Sequence, residues 1–418
     1  MSALKYWVWL SALTGLKPAR RLELLDQFGD PEKIYYADEG LFRKSLFLSD
    51  AELSLVMDKS LDKAERILEK SLSGGISILC FQDAVYPQRL RNIFDPPVVL
   101  YLRGRLPAVD ETAVVGVVGT RKATLYGVHM AKKLGFELTK GGGLVATGLA
   151  EGVDSAAAKG ALLAGGPCIG VLGCAIDSVY PKFNTALYDD MALAGALISE
   201  YPPGDPIARK NFPERNRIIS GLSLGVVVVE APLRSGALIT AALALEQGRE
   251  VFAVPGNADV PDCFGSNALI RDGAQLVSCG WDVLADFAPQ FAGKLSETDA
   301  KKLAPGLSAG QEDTAKSPAE GPETGQGFAK LRVRANRKGI DNEIKRDYID
   351  LREQLSGLSE RQLKIVSVIE KEPAHIDDII EKTALSAPEV LSELTILQIK
   401  GFVNQARGKR FSLNISSR

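Results

Sequence analysis

The chain has 418 residues, 45% of them apolar, enough to bury the cores of two or three domains. Its formal net charge of -2 and isoelectric point near 6.0 exclude a uniformly basic nucleic-acid binder, so any basic surface must be local. The five cysteines form no CxxC pair and there are only two histidines, so we predict no metal site and a reduced, cytoplasmic compartment. No apolar run is long enough to span a membrane.

Residues 1–72 show helical periodicity and no clear strand. Leu22, Leu25 and Phe28 fall on one stripe of a predicted helix, which ends at a Gly-Asp-Pro stop signal. The stretch SALTGLKPARRLELL resembles a helix-hairpin-helix turn, whose backbone N–H groups can bind phosphate, although a plain helical packing module is the favoured interpretation. We expect a small helical domain of the SAM or helix-hairpin-helix kind.

Residues 75–287 alternate short Val-, Ile- and Leu-rich runs with helical segments. The runs predicted to be strands are AVVGVVG, GLVATG, CIGVLG, ALISE, GVVVVEA, EVFAVPG and AQLVS. Continuous apolar strands separated by helices indicate a parallel sheet that is covered on both faces. The sequence therefore predicts an α/β fold with a doubly wound, parallel, Rossmann-like sheet.

Residues 288–350 lose this periodicity. The stretch APGLSAGQEDTAKSPAEGPETGQG is so rich in Gly, Ser, Pro, Glu and Ala that it cannot bury enough apolar area to fold. We predict a flexible linker here.

Residues 351–418 are predicted to form a winged helix, because helical segments precede FVNQARGKRFSLN, which has the pattern of a two-stranded wing. The segment that would read a major groove, 387–400, offers Glu389, Glu393 and only Lys400 as a cation. Protein contact is therefore favoured over base reading. Contact with a DNA backbone is the other option, through Arg407, Lys409 and Arg410.

The first predicted strand runs into the turn Gly119, Thr120, Arg121 and Lys122. A dinucleotide-binding fold would show GxGxxG here, and a P-loop would show a Walker A sequence, so we predict neither NAD binding nor P-loop ATP hydrolysis. The turn instead combines free N–H groups, a hydroxyl and a guanidinium at a helix N-terminus, which suits one phosphate. A structural turn with a surface arginine is the alternative.

Further polar side chains follow other strands, at the edge where open α/β sheets bind ligands. The additional candidates for ligand binding are Gly148, Lys182, Asn184, Phe212, Arg215, Asn216, Arg217, Ser235, Gly236, Thr240 and Asn257. No catalytic set emerges. Asp154 and Glu230 are the acids best placed for a general base, although Glu230 could equally pair with an arginine and brace the site.

The stretch NFPERNRIIS places two arginines shortly before a predicted buried strand. Pro213 suits the first turn of a helix, so Arg215 and Arg217 lie about 200° apart at 100° per residue and cannot both enter one pocket. We expect one arginine to meet the ligand and the other to pair with an acid such as Glu200 or Glu230.

Eight motifs resemble, in order, the DNA-processing protein A family (DprA, also called Smf): YPQRLRNIFDPPVVLYLRG, GTRKATLYG, TGLAEGVDSAAAKGAL, YPKFN, ISEYPPG, FPERNRIISGLS, VVEAPLRSGALITA and GREVFAVPG. The resemblance covers about residues 86–286. It implies a homodimer that binds and protects single-stranded DNA without enzymatic turnover or cofactor, and that helps load the RecA recombinase during natural transformation. It also implies that Arg121 and Lys182 contact the DNA backbone.

The chain departs from that family at Glu151 and Ala158, where members usually have Arg and His, so an anion replaces a cation beside the second turn. One alternative is a nucleotide phosphoribohydrolase of the LOG type, which shares this kind of sheet. The loop EAPLRSGALITA lacks the paired glycines and the later catalytic acid of that enzyme, which favours binding over hydrolysis. A transcription regulator that uses the winged helix is disfavoured by the acidic recognition segment.

Overall fold

The computed structural model describes residues 3–45, 48–301 and, with gaps, 360–413. The chain divides into two compact units, Met1–Lys316 and Ser317–Arg418. Most of the predicted linker lies outside the described residues, as do Lys400, Arg407 and Lys409. Among the described residues, no helix has the length and apolar character needed to cross a membrane.

The described residues before the sheet are helical, as their periodicity predicts. Helix α2 carries Leu22 and Leu25, begins at a proline and ends at Phe28, where Gly29 adopts a φ of 85° and donates its N–H to the Leu25 carbonyl. A capping box of Ser49 and Glu52 starts α5. The helices are α1 Leu4–Ala12, α2 Pro18–Phe28, α3 Pro31–Tyr36, α4 Glu39–Ser45, α5 Asp50–Met57 and α6 Asp62–Ser73.

The central sheet of the first unit has nine strands in the order β1-β2-β6-β5-β4-β3-β7-β8-β9. The strands β3 to β9 run parallel to one another, which confirms the doubly wound prediction, whereas β1 and β2 form an antiparallel edge next to β6 that the sequence did not predict. The strands are β1 Ser77–Cys80, β2 Val99–Gly104, β3 Val114–Val118, β4 Leu144–Thr147, β5 Cys168–Leu172, β6 Ala196–Ser199, β7 Gly225–Val228, β8 Glu250–Ala253 and β9 Gln275–Leu276.

Both faces of the sheet are covered, because successive side chains of a strand point to opposite sides. In β3, Val115 and Val117 join the core that contains α8, α9 and α14, whereas Val114 and Val118 join the core under α11 and α12. The helices of this region are α7 Gln88–Arg91, α8 Leu125–Lys140, α9 Val153–Leu163, α10 Thr185–Ala194, α11 Asn211–Leu222, α12 Gly236–Glu246, α13 Phe264–Arg271, α14 Gly280–Phe287 and α15 Glu297–Ala300.

In the first unit, the predicted helical domain and the predicted sheet domain share one hydrophobic core. Trp7 and Leu24 belong to the same buried cluster as Val115. The packing also continues past the predicted boundary at residue 287, since Phe291 and Ala300 are buried and the Ser296 N–H donates to the Gly141 carbonyl at 3.0 Å. The start of the predicted linker at residue 288 is therefore too early, because these side chains anchor the chain as far as Lys301.

The second unit has the helices and wing of a winged helix. Its described elements are α16 Glu360–Ile369, β10 Ala374–His375, α17 Ile376–Thr383, β11 Val403–Ala406 and β12 Arg410–Leu413. The predicted wing of β11 and β12 is confirmed, and β10 adds a third strand to it in the order β10-β12-β11. Ile365, Ile379 and Phe411 are among the side chains of its core.

Candidate nucleic-acid interface

A cleft of about 610 Å³ lies outside the carboxyl ends of β3 and β7. These strands are neighbours in the sheet, and the order runs from β3 towards β6 on one side and from β7 towards β9 on the other. Open α/β sheets bind ligands at such a reversal. Nine of the predicted site residues line this switch-point cleft: Gly119, Thr120, Arg121, Phe212, Arg215, Asn216, Ser235, Gly236 and Thr240.

The mouth of the switch-point cleft combines cations with aromatic rings. Arg121, Arg209 and Arg234 line the cleft and are exposed. The rings of Tyr180 and Phe212 have centroids 5.2 Å apart, and the Arg121 guanidinium lies 5.4 Å from the centre of the Phe212 ring. The guanidinium groups can bind phosphates and the rings can stack against bases, so this surface suits a single strand of nucleic acid.

The turn after β3 is fixed by a buried carboxylate. The Thr120 N–H donates to the Glu230 carbonyl at 2.7 Å, and Glu230 Oε2 accepts the Thr124 N–H at 2.9 Å. Thr124 then caps α8 by accepting the Gly127 N–H. The Glu230 carboxylate therefore places an anion at this helix N-terminus, which disfavours a phosphate there, and what Arg121 offers to the cleft is its side chain.

The N-terminus of α12 is more open. Ser235 Oγ caps this helix by accepting the Ala237 N–H at 3.2 Å, and a Cβ added at Gly236 would meet no atom within 4 Å. The exposed Arg234 directly precedes the cap. The helix has 11 residues, so its dipole and the arginine both favour an anion in the cleft.

Arg215 forms the floor of the switch-point cleft and is 4% exposed. Its guanidinium donates to the carbonyls of Gly148, at 2.9 Å, and Val171, and its Nε donates to Asn216 Oδ1 at 3.3 Å. A Cβ at Gly148 would collide with this guanidinium and would lie 2.7 Å from Asp154 Oδ2, so only glycine leaves room for Arg215. The strand ends β4 and β5 therefore hold the arginine in place.

Asp154 lies beside Arg215 and lines the same cleft. It is 5% exposed, and its Oδ2 accepts the Gly148 N–H at 3.1 Å. Its Oδ1 is buried and accepts no hydrogen bond from the described part of the chain. Burial raises the pKa of Asp154 to about 6, although the Arg215 charge and backbone N–H groups oppose the change.

Arg217 points away from the cleft. Its Nε lies 3.0 Å from Asp95 Oδ2, and its Nη2 donates to Glu200 Oε2 at 2.7 Å. The prediction that one arginine of this helix pairs with an acid such as Glu200 is confirmed. Arg217 is 5% exposed and absent from the cleft lining, so the structure removes it from the predicted ligand set.

Other predicted site residues also lie outside the cleft lining. Asn184 is buried and braces a loop by donating to the Leu149 carbonyl and to Ser155 Oγ, so its amide is already used within the protein. Gly148 lines a small adjoining pocket. The remaining residues of this group are exposed side chains that border neither space: Lys122, Lys182 and Asn257.

Sequence reasoning missed Tyr180 and Arg209, whereas Arg234 stands in a loop that the sequence had already singled out for ligand binding. Tyr180 lies two residues before the chosen Lys182, and Arg209 stands just ahead of α11. These residues could have been found by looking for arginines and aromatic residues next to each chosen loop. Their convergence depends on the chain path, which the motif spacing does not give.

The comparisons with known families agree with this fold and with the winged helix. Residues 77–288 match the family described as DNA recombination-mediator protein A, and residues 351–409 match the DprA winged helix domain. The chain belongs to the DNA recombination-mediator protein A family, which confirms the resemblance seen in the motifs.

Two curated relatives illustrate the similarity. The chain is 33% identical to Protein Smf of Synechocystis sp. over 417 residues, which covers 97% of this chain and 98% of that protein. It is 42% identical to the DNA processing protein DprA of Streptococcus pneumoniae over 207 residues, covering 49% of this chain and 72% of that protein.

Two solved structures are also similar. The X-ray structure of DprA from Streptococcus pneumoniae has 32% sequence identity and a TM-score of 0.55, and the match covers 68% of this chain and 97% of that one. A Helicobacter pylori DNA processing protein A, described as having a unique single-stranded DNA binding mode, has 29% identity and a TM-score of 0.47, with 51% and 96% of the two chains covered.

Proposed function

We propose that this chain binds single-stranded DNA across the switch-point cleft, as a binding protein without catalytic turnover that serves recombination during natural transformation. The observation that carries the proposal is the mouth of the cleft, where three exposed arginines lie together with the Tyr180 and Phe212 rings, whose centroids are 5.2 Å apart. Membership of the DNA recombination-mediator family supports the same role.

The aromatic wall favours a single strand over a duplex. Tyr180 is 40% exposed, and its ring is tilted by 49° against the Phe212 ring, so ring surface is available to a base. The bases of a single strand can leave their stack and lie on such rings, whereas those of a duplex are held inside the helix. Stacking of this kind is tolerant of sequence, so we expect little base preference.

The local charge accounts for how an acidic protein could bind DNA. The formal net charge is -2, but Arg121, Arg209 and Arg234 are concentrated at one cleft. Binding of phosphates by these side chains would release counterions, so the affinity should fall steeply as salt is added. Phosphate contacts carry no sequence information, which agrees with the expected lack of base preference.

The partners proposed for the chain are a second copy of itself and the RecA recombinase, which the bound strand would help to load. Family membership supports both proposals. Leu276, on the outermost strand β9, is 50% exposed and offers apolar surface at that sheet edge.

Light scattering after size-exclusion chromatography tests the proposed dimer. The formation of RecA filaments on single strands that are already coated by a blocking protein tests the proposed loading of RecA.

Competition binding tests the central function. A fluorescent oligo-dT is bound to the protein, and its anisotropy is followed as unlabelled single strands or duplexes of equal length are added. We expect the single strand to displace the probe at a concentration at least tenfold lower than the duplex. Equal competition by the duplex would contradict the proposal.

A further inference from the structure

Asp154 is an acid on the floor of a cleft whose mouth is lined by cations. Asp154 is 5% exposed, and its Oδ1 makes no hydrogen bond of normal geometry with the residues that the structure describes, although the backbone N–H groups of Gly119, Gly148 and Ala150 face the carboxyl. A surface built only to attract phosphate has no need of an acid here. The unpartnered oxygen therefore requires an explanation that the proposed function has not yet provided.

The neighbouring groups are mainly cationic. Arg215 of α11 faces Asp154 from across the floor, and the exposed acid of its own loop is Glu151. Burial raises the pKa of Cys174, which lies near Arg215, to about 11, and raises the pKa of Tyr188 above its ordinary value, so neither group gains charge near neutral pH. The other titratable side chains that line the cleft are Arg121, Tyr180, Arg209 and Arg234.

We propose that Asp154 is a positioning residue for DNA: its charge balances that of the neighbouring Arg215 at the cleft floor in the free protein, and it takes up a proton when a phosphate enters the cleft. The inference rests on the proposed function, and it assigns a proton-linked control to the same site. An incoming phosphate brings a second anion into a space where one carboxylate is already deprived of water. Protonation removes that repulsion, and the unpartnered Oδ1 is free to carry the proton.

The direction of the pH dependence follows from linkage. An anion that binds near a carboxylate disfavours its ionised form, so the complex keeps the proton to a higher pH than the free protein does. DNA affinity must then rise as the pH falls through the interval between the two pKa values, of which the lower is about 6. A nearby charge shifts a carboxyl pKa by ~1–3 units, and a shift of ~1.5 units gives an affinity roughly tenfold higher at pH 6 than at pH 8.

The test measures oligo-dT affinity by anisotropy at about pH 6, 7 and 8, at constant ionic strength, for the full-length chain. Wild type should gain roughly tenfold on acidification, and Asp154→Asn should lose that dependence. Glu151→Gln is the matched control, since it removes an exposed carboxylate from the same loop and should leave the dependence in place. A variant with both His129→Asn and His375→Asn removes the two histidines of the chain and serves as a second control.

A second measurement needs no variant at this site. Calorimetric titration of wild type with oligo-dT, in two buffers of different ionisation enthalpy near pH 6.5, counts the protons taken up on binding. An uptake between about half and one proton supports the proposal, and an uptake near zero overturns it even if Asp154→Asn fails to fold. A dependence that persists in Asp154→Asn, or that disappears with the histidines, also overturns it. Absence of oligo-dT binding at every pH would instead refute the proposed function.

Discussion

Replacing Arg121 by alanine removes one cation from the mouth of the switch-point cleft without disturbing the sheet. The side chain is exposed, and its recorded contact is with the Phe212 ring, 5.4 Å away. A charge-assisted hydrogen bond contributes ~1.5–3 kcal/mol, and solvent exposure places this one at the lower end. Single-stranded DNA affinity should therefore fall about tenfold at low salt, by a similar factor for every base sequence.

The salt dependence gives a second, independent magnitude. Each phosphate contact contributes ~0.7 to the slope of log affinity against log salt for a single strand, so Arg121→Ala should flatten that slope by about this amount. Lys122→Ala is the matched control, because Lys122 is the next residue and equally exposed but does not line the cleft. Arg121→Lys should keep the salt dependence and lose part of the affinity, because lysine lacks the planar guanidinium group that lies 5.4 Å from the centre of the Phe212 ring.

Anisotropy titrations of labelled oligo-dT at four salt concentrations measure both the affinity and its salt dependence. A thermal melt checks that each variant is folded. Arg121→Ala should melt like wild type, because its side chain belongs to no buried cluster. If Arg121→Ala binds with wild-type affinity and slope, or if Lys122→Ala is weakened by the same amount, the cleft does not hold the phosphates as we infer.

Three further predictions concern other parts of the chain. Glu151→Arg should strengthen single-stranded DNA binding, chiefly at low salt where exposed charges are least screened, and unchanged anisotropy titrations would place this side chain off the DNA path. Arg217→Met should lower the free energy of unfolding in urea by ~3–5 kcal/mol, because Asp95 and Glu200 lose their partner; a much smaller loss would contradict a bracing role. A chain that ends after Lys301 should keep most of the oligo-dT affinity of the full-length protein, and loss of that affinity would assign DNA binding to the winged helix.

The parallel part of the sheet was predictable because its strands are buried on both faces. Each of the seven apolar runs contains one of the strands β3 to β9, and the glycines and helical patterns between them mark the crossovers. The edge strands β1 and β2 were not predicted, and β2 follows a Pro-Pro pair that resembles a loop. Their antiparallel pairing depends on contacts distant in the sequence.

The candidate site was predictable by loop but not by side chain. The rule that ligands bind at the carboxyl ends of strands selected loops that converge on one cleft, and nine of the chosen residues line it. The rule cannot say which of Arg215 and Arg217 lines the cleft, because the answer depends on where Glu200 and Asp95 lie in the fold. It also could not show that the Glu230 carboxylate lies at the helix N-terminus beside Arg121, since that carboxylate comes from the loop after β7, more than 100 residues away.

The most direct test of the account locates the DNA on the protein. Oligo-dT in which some thymines are replaced by 5-bromouracil is bound to the full-length chain and crosslinked with ultraviolet light, and the modified peptides are identified by mass spectrometry. The account predicts crosslinks to Tyr180 or Phe212. In Arg121→Ala these crosslinks should disappear at a salt concentration at which the variant no longer binds the DNA and wild type still does. Crosslinks confined to the winged helix or to the helices α1–α6 would contradict it.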